Sequence, residues 1–464
     1  MHTWGVHKLL QPFDKVVRPI LNAGEARRLA QCVNISDLRK AAEARMHPMC
    51  FGYLDSGADD EIALRRSVST FDDIELHYRC LAGLERPLNL QSTFIGGEAI
   101  GLPFFPAPCA GHRMFHADGE LATATVAAER TMPFCLSTFA TRSFEEVAAC
   151  QSTAQGAAGL SDHLPPKVFQ LYVLRERGLV TSLLERAARA GFRYVALTAD
   201  LTWFGNRERD KRTGFTVPPT YSLPQVLGAL SRPAWTWDFA SRDEYRYALM
   251  APDLPAEVMA HFLNAKIDPS FDWDDAKWLC EEWSRIVSEV DLEHSGHVKD
   301  TQTFSPASSS QIRPPQPSPA PVVMLKGVVR PDDARRAVNE TGFGALWVSN
   351  HGGRQLETAP PPVDVLPAIR NAVGVDVPIV LDGGIRRGSH IAKALALGAD
   401  WVAVGRPYLF GLGAGGAPGV RRTFDILATE LETTMGLLGV GTVEELKRCG
   451  PDLVARRGHL PPFK

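Results

Sequence analysis

Eight short apolar runs, each the length of a buried strand, recur through the sequence at 104–109, 133–137, 168–172, 194–198, 322–326, 345–349, 378–382 and 401–405. Continuous rather than alternating apolarity is what a strand needs when both of its faces are covered. A helical pattern follows nearly every run, as at 118–130, 175–190, 331–340, 388–397 and 419–438. Strand-then-helix units of this kind build a parallel sheet flanked by helices, and eight of them predict a closed (β/α)8 TIM barrel, an α/β fold. With 464 residues the chain is long enough for one such barrel carrying additions.

The additions are visible where the repeat breaks. Residues 1–33 read as an N-terminal extension, of which 8–30 suit a weakly amphipathic basic helix. Asn34-Ile35-Ser36-Asp37 supplies an N-cap cluster, and a second helix from Met49 to Tyr53 is expected to stop near Gly57. The barrel domain then covers 34–450, with a tail at 451–464. Within it, 206–270 separates the fourth strand from its helix at 273–290. A long excursion at the catalytic face is where a lid is built; a packed surface loop is the plainer alternative. The Pro/Ser-rich stretch at 291–320 cannot bury a core. A disordered insertion is expected there, hanging from the face opposite the chemistry, so deleting 295–318 should leave turnover intact.

In such barrels the reacting groups stand at the C-terminal ends of the strands. Those ends here carry Pro108, Cys109 and Ala110, then Ser137, Gln170 with Tyr172, and Thr198 with Asp200. Lys326, His351, Asp382 with Gly383 and Gly384, and Gly405 with Arg406 complete the ring. Loops are polar in any protein, so each one alone says little; their convergence on one mouth says more. After the run at 345–349, His351 and Arg354 bracket Gly352-Gly353. A neutral imidazole takes a proton near pH 7, and a guanidinium grips a carboxylate with two parallel hydrogen bonds. The pair reads as a base and an anchor, against the alternative of a satisfied loop histidine beside a surface arginine. Glycine with Arg386 after the seventh strand, and glycine with Arg406 after the eighth, suit a phosphate; the alternative is two glycine turns with surface arginines. Lys326 is costly to bury without an anion. It either forms a Schiff base or neutralises a cofactor's charge, and residues alone do not separate the two. The glycines at 411–416 approach a dinucleotide fingerprint but follow no strand directly, so they read as a loop before the last long helix.

Composition removes several function classes. A net charge of −3 gives no reason to expect nucleic acid or an anionic membrane surface. No apolar run spans a bilayer, no secretory core opens the chain, and its last residues are not a peroxisomal address. A cytoplasmic protein without membrane contact is expected. Its eight cysteines are scattered without metal-ligand spacing, which suits buried thiols in a reducing compartment and no metal site.

Seven stretches resemble the FMN-dependent L-2-hydroxy acid oxidase/dehydrogenase family, which includes glycolate oxidase, flavin lactate dehydrogenases and mandelate dehydrogenase. They are 51–61 (FGYLDSGADDE), 107–110 (APCA), 169–173 (FQLYV), 197–200 (LTAD) with Arg207-Glu208, 325–327 (LKG), 349–355 (SNHGGRQ) and 381–388 (LDGGIRRG). The resemblance implies oxidation of an L-2-hydroxy acid such as lactate, glycolate or mandelate to the 2-oxo acid. His351 would be the base, Asp200 its orienting carboxylate, Arg354 and Arg207 the carboxylate anchors, and Tyr53 and Tyr172 further substrate contacts. FMN would be held by Pro108, Cys109, Ala110, Ser137, Gln170, Thr198, Lys326, Ser349, Asp382, Gly383, Gly384, Arg386, Gly405 and Arg406. O2 or another electron acceptor would reoxidise it, and relatives imply a homo-oligomer, a tetramer. Cys109 stands where the family often has threonine, and Phe139 occupies a variable position beside the substrate. Oxidative decarboxylation of the lactate 2-monooxygenase type is the nearest alternative; a Schiff-base aldolase using Lys326 or an inert flavin-binding protein is further away.

Overall fold

All eight expected strands are present in the computed structural model, which describes residues 6–159, 165–215, 222–242, 245–250, 267–300 and 319–462. They are β1 (Phe104–Pro106), β2 (Phe134–Ser137), β3 (Lys167–Tyr172), β4 (Tyr194–Thr198), β5 (Val322–Val328), β6 (Ala345–Val348), β7 (Ile379–Leu381) and β8 (Trp401–Val404). Parallel pairing runs β1-β8-β7-β6-β5-β4-β3-β2, and β1 meets β2 at the remaining seam. The strands are buried almost throughout, which is why their apolarity is continuous.

One end of the barrel is plugged. Phe94, on the hairpin Ser92–Thr93/Ala99–Ile100, packs edge-on against Phe105 and against Tyr194, the first residue of β4. Trp347 fills the next level, edge-on to Phe105 at 5.7 Å. Truncating a buried aromatic of this kind costs about 3–5 kcal/mol. The opposite end, where the strands finish, carries the cavity open to a ligand.

Before the barrel come α1 (Val6–Gln31), α2 (Ile35–Arg45), α3 (Pro48–Asp55) and α4 (Ile62–Ser69). The Asn34 side chain caps α2 by accepting from the Asp37 N–H at 2.9 Å. The barrel helices include α5 (Glu120–Glu129), α6 (Phe144–Ala158) and α7 (Arg177–Arg189). After β4 the chain makes α8 (Glu208–Arg212), α9 (Leu223–Leu230) and α10 (Pro233–Ala240) before α11 (Trp273–Asp300). Then follow α12 (Pro331–Arg336), α13 (Pro362–Val373), α14 (Gly388–Ala396), α15 (Arg406–Leu438) and α16 (Val443–Cys449).

Two expectations need correction. The helix expected to end at 290 continues to Asp300, and at the start of the added stretch Asp291 pairs with Arg193 and Glu293 with Arg189. The disorder expected for the rest of that insertion, 301–318, lies outside the described residues. The glycines at 411–416 are not a loop before a helix: α15 already begins at Arg406 and breaks only at Gly415 and Gly416. Gly411 is there for close packing, since a Cβ on it would lie 2.3 Å from the Gly419 carbonyl oxygen.

The excursion after β4 is also not structureless. Trp235 of α10 is buried and donates to the Met114 carbonyl at 2.7 Å, while Asp238 is buried in an ion network with Arg18 of α1 and Arg45 of α2. That half of the excursion packs on the N-terminal helices. The other half, around 201–215, reaches the mouth.

Candidate active site

The backbone leaves β6 through three successive residues in the left-handed region, His351 (φ 55°), Gly352 (φ 65°) and Gly353 (φ 72°). Glycine is required at the last two. A Cβ at 352 would lie 2.8 Å from the Arg406 guanidinium, and one at 353 would lie 2.4 Å from the Leu64 amide nitrogen. His351 is not glycine and adopts this conformation at some cost. It is held there by its own N–H donating to Ser349 Oγ at 3.0 Å and by its ring.

The ring is what the turn presents. His351 Nδ1 lies 2.8 Å from Asp200 Oδ1, at the end of β4. With Asp200 ionised, Nδ1 carries the hydrogen and Nε2 keeps its lone pair. Burial opposes the charged form of Asp200, but His351 and Lys326 outweigh it and hold the carboxyl below its ordinary range. Burial lowers the His351 pKa, with Asp200 opposing, so the ring is neutral and able to accept. Asp200 Oδ2 is buried and has no hydrogen-bond partner among the described residues.

Lys326 is fixed behind this pair. Its Nζ donates to Ser349 Oγ at 3.1 Å and lies 3.4 Å from Asp382, whose Oδ1 accepts from Ser349 at 2.6 Å and whose Oδ2 accepts from Trp347 at 2.9 Å. Burial disfavours the ammonium, yet Asp382 and Asp200 more than compensate and raise its pKa. A Schiff-base nucleophile needs the neutral amine; these surroundings keep the cation.

Four guanidiniums crowd the same mouth. Arg207 donates to the Arg354 carbonyl and to Gln355, and Arg354 to the carbonyls of Tyr53 and Ser56. Arg386 donates to the Ile385 carbonyl, and Arg406 to those of Leu54, Ser56 and Gly352. Uncharged oxygens hold them all, and Arg354 Nη2 is buried without a partner among the described residues. Burial, with Arg354 nearby, pulls Arg207 down to about 10 and Arg406 to about 9; burial alone leads the fall of Arg386 to about 10. An arginine does not give up its proton in a protein, so these shifts measure how strongly the site favours anions.

A cavity of about 480 Å3 lies among these groups, within the range that holds small molecules and cofactors. Of the residues expected at the site, Tyr53, Pro108, Cys109, Ala110, Gln170, Tyr172, Thr198, Arg207, Lys326, His351, Arg354, Asp382, Gly383, Gly384, Arg386, Gly405 and Arg406 line it. Three stand one layer back: Asp200 behind His351, Ser349 between Lys326 and Asp382, and Ser137, which donates to Gln170 at 3.0 Å. Burial pushes the Cys109 thiol up, so it is no ready nucleophile.

Sequence reasoning missed part of the wall. Phe115, Leu201, Phe204, Phe215 and Tyr247 also face the cavity. Phe215 stacks on Tyr53 at 4.3 Å, and Phe139 on Tyr172 at 4.9 Å. Most come from the excursion after β4, where no periodicity marks a single aromatic as inward. An anion-seeking, aromatic-walled cavity with one oriented base can bind a small carboxylate and take a proton from it.

A family model described as FMN-dependent dehydrogenase matches residues 42–287 and 302–452. An L-lactate oxidase of Nostoc sp. is 36% identical over 415 residues, covering 89% of this chain and 96% of its own. An L-lactate dehydrogenase of Xanthomonas campestris pv. campestris is 34% identical over 440 residues, covering 92% and 98%. Among solved structures, the monotopic membrane protein (S)-mandelate dehydrogenase superposes with a TM-score of 0.77 at 28% identity, over 92% of this chain and all of that one. A mandelate oxidase superposes with a TM-score of 0.68 at 29% identity, over 90% and 98%.

Proposed function

The chain belongs to the FMN-dependent dehydrogenase family, and from that premise we propose how its own residues divide the oxidation of an L-2-hydroxy acid. The cofactor is FMN and the protein is an oxidoreductase acting on the alcohol carbon. The cavity suits such a dianionic cofactor and an anionic substrate, because four guanidiniums meet there with no carboxylate paired to them among the described residues. Arg386 and Arg406, with the glycines at 383, 384 and 405, would hold the phosphate. Pro108, Cys109, Ala110, Gln170 and Thr198 would line the ring, with Ser137, Ser349 and Asp382 behind. Lys326, kept as an ammonium, would balance negative charge there. Bound FMN supplies the acceptor for the two electrons released at the substrate C2.

Arg354 and Arg207 hold the substrate carboxylate, and Tyr53 and Tyr172 stand beside them. Burial raises the Tyr172 pKa, so its hydroxyl stays a donor. His351 Nε2 takes one proton, from C2 or from its hydroxyl, and Asp200 stabilises the imidazolium that results. The observation that carries this reading is the 2.8 Å His351–Asp200 contact facing the same cavity as the four guanidiniums. Anaerobic mixing of the yellow protein with a panel of 2-hydroxy acids tests it. Bleaching by the L-enantiomers of at least one is expected; a flavin inert to all of them would contradict it. Peroxide yield in air, against release of CO2, then separates simple reoxidation by O2 from decarboxylating mono-oxygenation.

A specific surface favours a second partner, an anionic bilayer. Leu9, Phe13, Val16 and Ile20 are 60–71% exposed along one face of α1. Leu223, Val226, Leu227 and Leu230 are exposed on α9, which carries no charged residue. Lys8, Lys15, Arg27 and Arg28 are exposed on α1, whereas its acids, Asp14 and Glu25, are paired with Arg18 and Arg45. Apolar stripes bordered by cations suit anionic headgroups; two copies meeting face to face would oppose like charges. One structural neighbour is a monotopic membrane protein. No helix among the described residues is long and apolar enough to cross a membrane, so surface attachment is the mode. Cosedimentation with phosphatidylserine vesicles but not phosphatidylcholine is expected. Indifference to both, with these faces buried in a homotetramer, would refute it.

A further inference from the structure

β4 and β6 are not neighbours in the barrel; β5 lies between them. The loop leaving β4 carries Asp200 and Arg207, and the loop leaving β6 carries His351 and Arg354. No ladder therefore joins these two strands directly. Besides the His351–Asp200 and Arg207–Arg354 contacts, one side-chain amide spans the gap. Gln355 Nε2 donates to the Asp200 carbonyl at 3.1 Å and the Trp203 carbonyl at 2.8 Å. Its Oε1 accepts from Arg207 Nη2 at 3.3 Å and from the Gly205 N–H at 3.4 Å. Both donors and both lone pairs of the amide are in use.

The two loops also touch where only glycine fits. A Cβ on Gly205 would lie 2.4 Å from the Arg354 carbonyl oxygen and 2.7 Å from Gln355 Cα. Arg207 Nε adds a contact to that same carbonyl at 3.4 Å.

We propose that Gln355 is the positioning residue that sets Asp200 and Arg207 in register with His351 and Arg354, an inference that rests on the roles assigned to those four above. Its donating edge holds the backbone at Asp200, and hence the angle at which the carboxylate meets the imidazole. Its accepting edge holds Arg207, and hence the second grip on the substrate carboxylate. Gln355 itself touches no reacting atom.

The two edges are separable by substitution. Gln355→Met keeps the length and removes all four hydrogen bonds. It is expected to raise KM about tenfold, lower kcat about tenfold, and move the acid limb of kcat/KM to lower pH, because the hold on Arg207 and the hold on the Asp200 backbone are lost together. Gln355→Glu still accepts from Arg207 but donates nothing. It is expected to keep a near-parental KM while kcat and the acid limb move as in the methionine variant. Parental KM and a parental acid limb in Gln355→Met would overturn the proposal, whatever its melting temperature. If that variant does not fold, a parental kcat and acid limb in Gln355→Glu overturns it instead. A parent protein that oxidises no 2-hydroxy acid sinks the proposed function itself, an outcome distinct from a failure of the Gln355 assignment.

Discussion

Replacing Asp200 by asparagine keeps the size of the side chain and removes its charge. At Nδ1 the imidazole then faces a neutral amide instead of a carboxylate 2.8 Å away. The loss falls on the state in which His351 carries the substrate's proton, because only there is the ring a cation. Two unit charges about 4 Å apart attract by about 4 kcal/mol at an effective dielectric near 20. Part of this already assists the neutral ring through the same hydrogen bond, so about 3–4 kcal/mol is the differential share, or about a 10²–10³-fold loss in the rate of flavin reduction. A second signature has a fixed sign. Burial lowers the His351 pKa and Asp200 opposes it, so removing that opposition moves the acid limb of activity further down in pH. The assay is anaerobic stopped-flow reduction of FMN-loaded protein across pH 5–9 with a saturating 2-hydroxy acid. Reduction within threefold of parental, or an acid limb that stays put or rises, would show that Asp200 does not stabilise the imidazolium.

Two further predictions concern stability. His390 stacks on Phe71 at 4.4 Å, and burial lowers its pKa to about 4. The unfolded chain binds this proton near the ordinary value of about 6.5, so the folded state binds fewer protons between those values and loses stability as pH falls. The window is pH 6.5 to 4 and the loss is about 3 kcal/mol. His390→Phe should flatten the denaturation curve of stability against pH over that window; an unchanged slope would assign it elsewhere. Gly353→Ala forces a Cβ against the Leu64 amide at a φ of 72°. A cost of about 2–4 kcal/mol is expected, read as a lower melting temperature together with weaker substrate binding, and a parental melting temperature would contradict it.

The barrel was legible because burial on both faces leaves its mark on each strand separately. Val380 and Leu381, or Ala403 and Val404, need no knowledge of their partners to read as interior. The ends of those strands were legible for the same reason, since a polar residue there has one mouth to face. Less local facts were hidden. Tyr247 and Phe215 reach the cavity from the excursion after β4, where an aromatic pointing inward has the same spacing as one pointing out. Gln355 stood within a recognised motif, but an amide announces no chemistry until its four partners are known. Gly411 and Gly413 read as loop because helix propensity disfavours glycine; crossing against Gly419 and Met46 overrides that preference. The net charge of −3 averages over ion pairs that cancel, so it does not reveal that the acids of α1 are paired while cations on that helix stay exposed.

The central claim is that one imidazole, oriented by Asp200, takes the substrate's proton while guanidiniums hold its carboxylate. Single-turnover reduction of FMN-loaded His351→Ala, anaerobic and at saturating L-2-hydroxy acid, tests it most directly. The expected variant stays yellow, retains its cofactor and reduces at least about 10³-fold more slowly than the parent. Bleaching at the parental rate would contradict it.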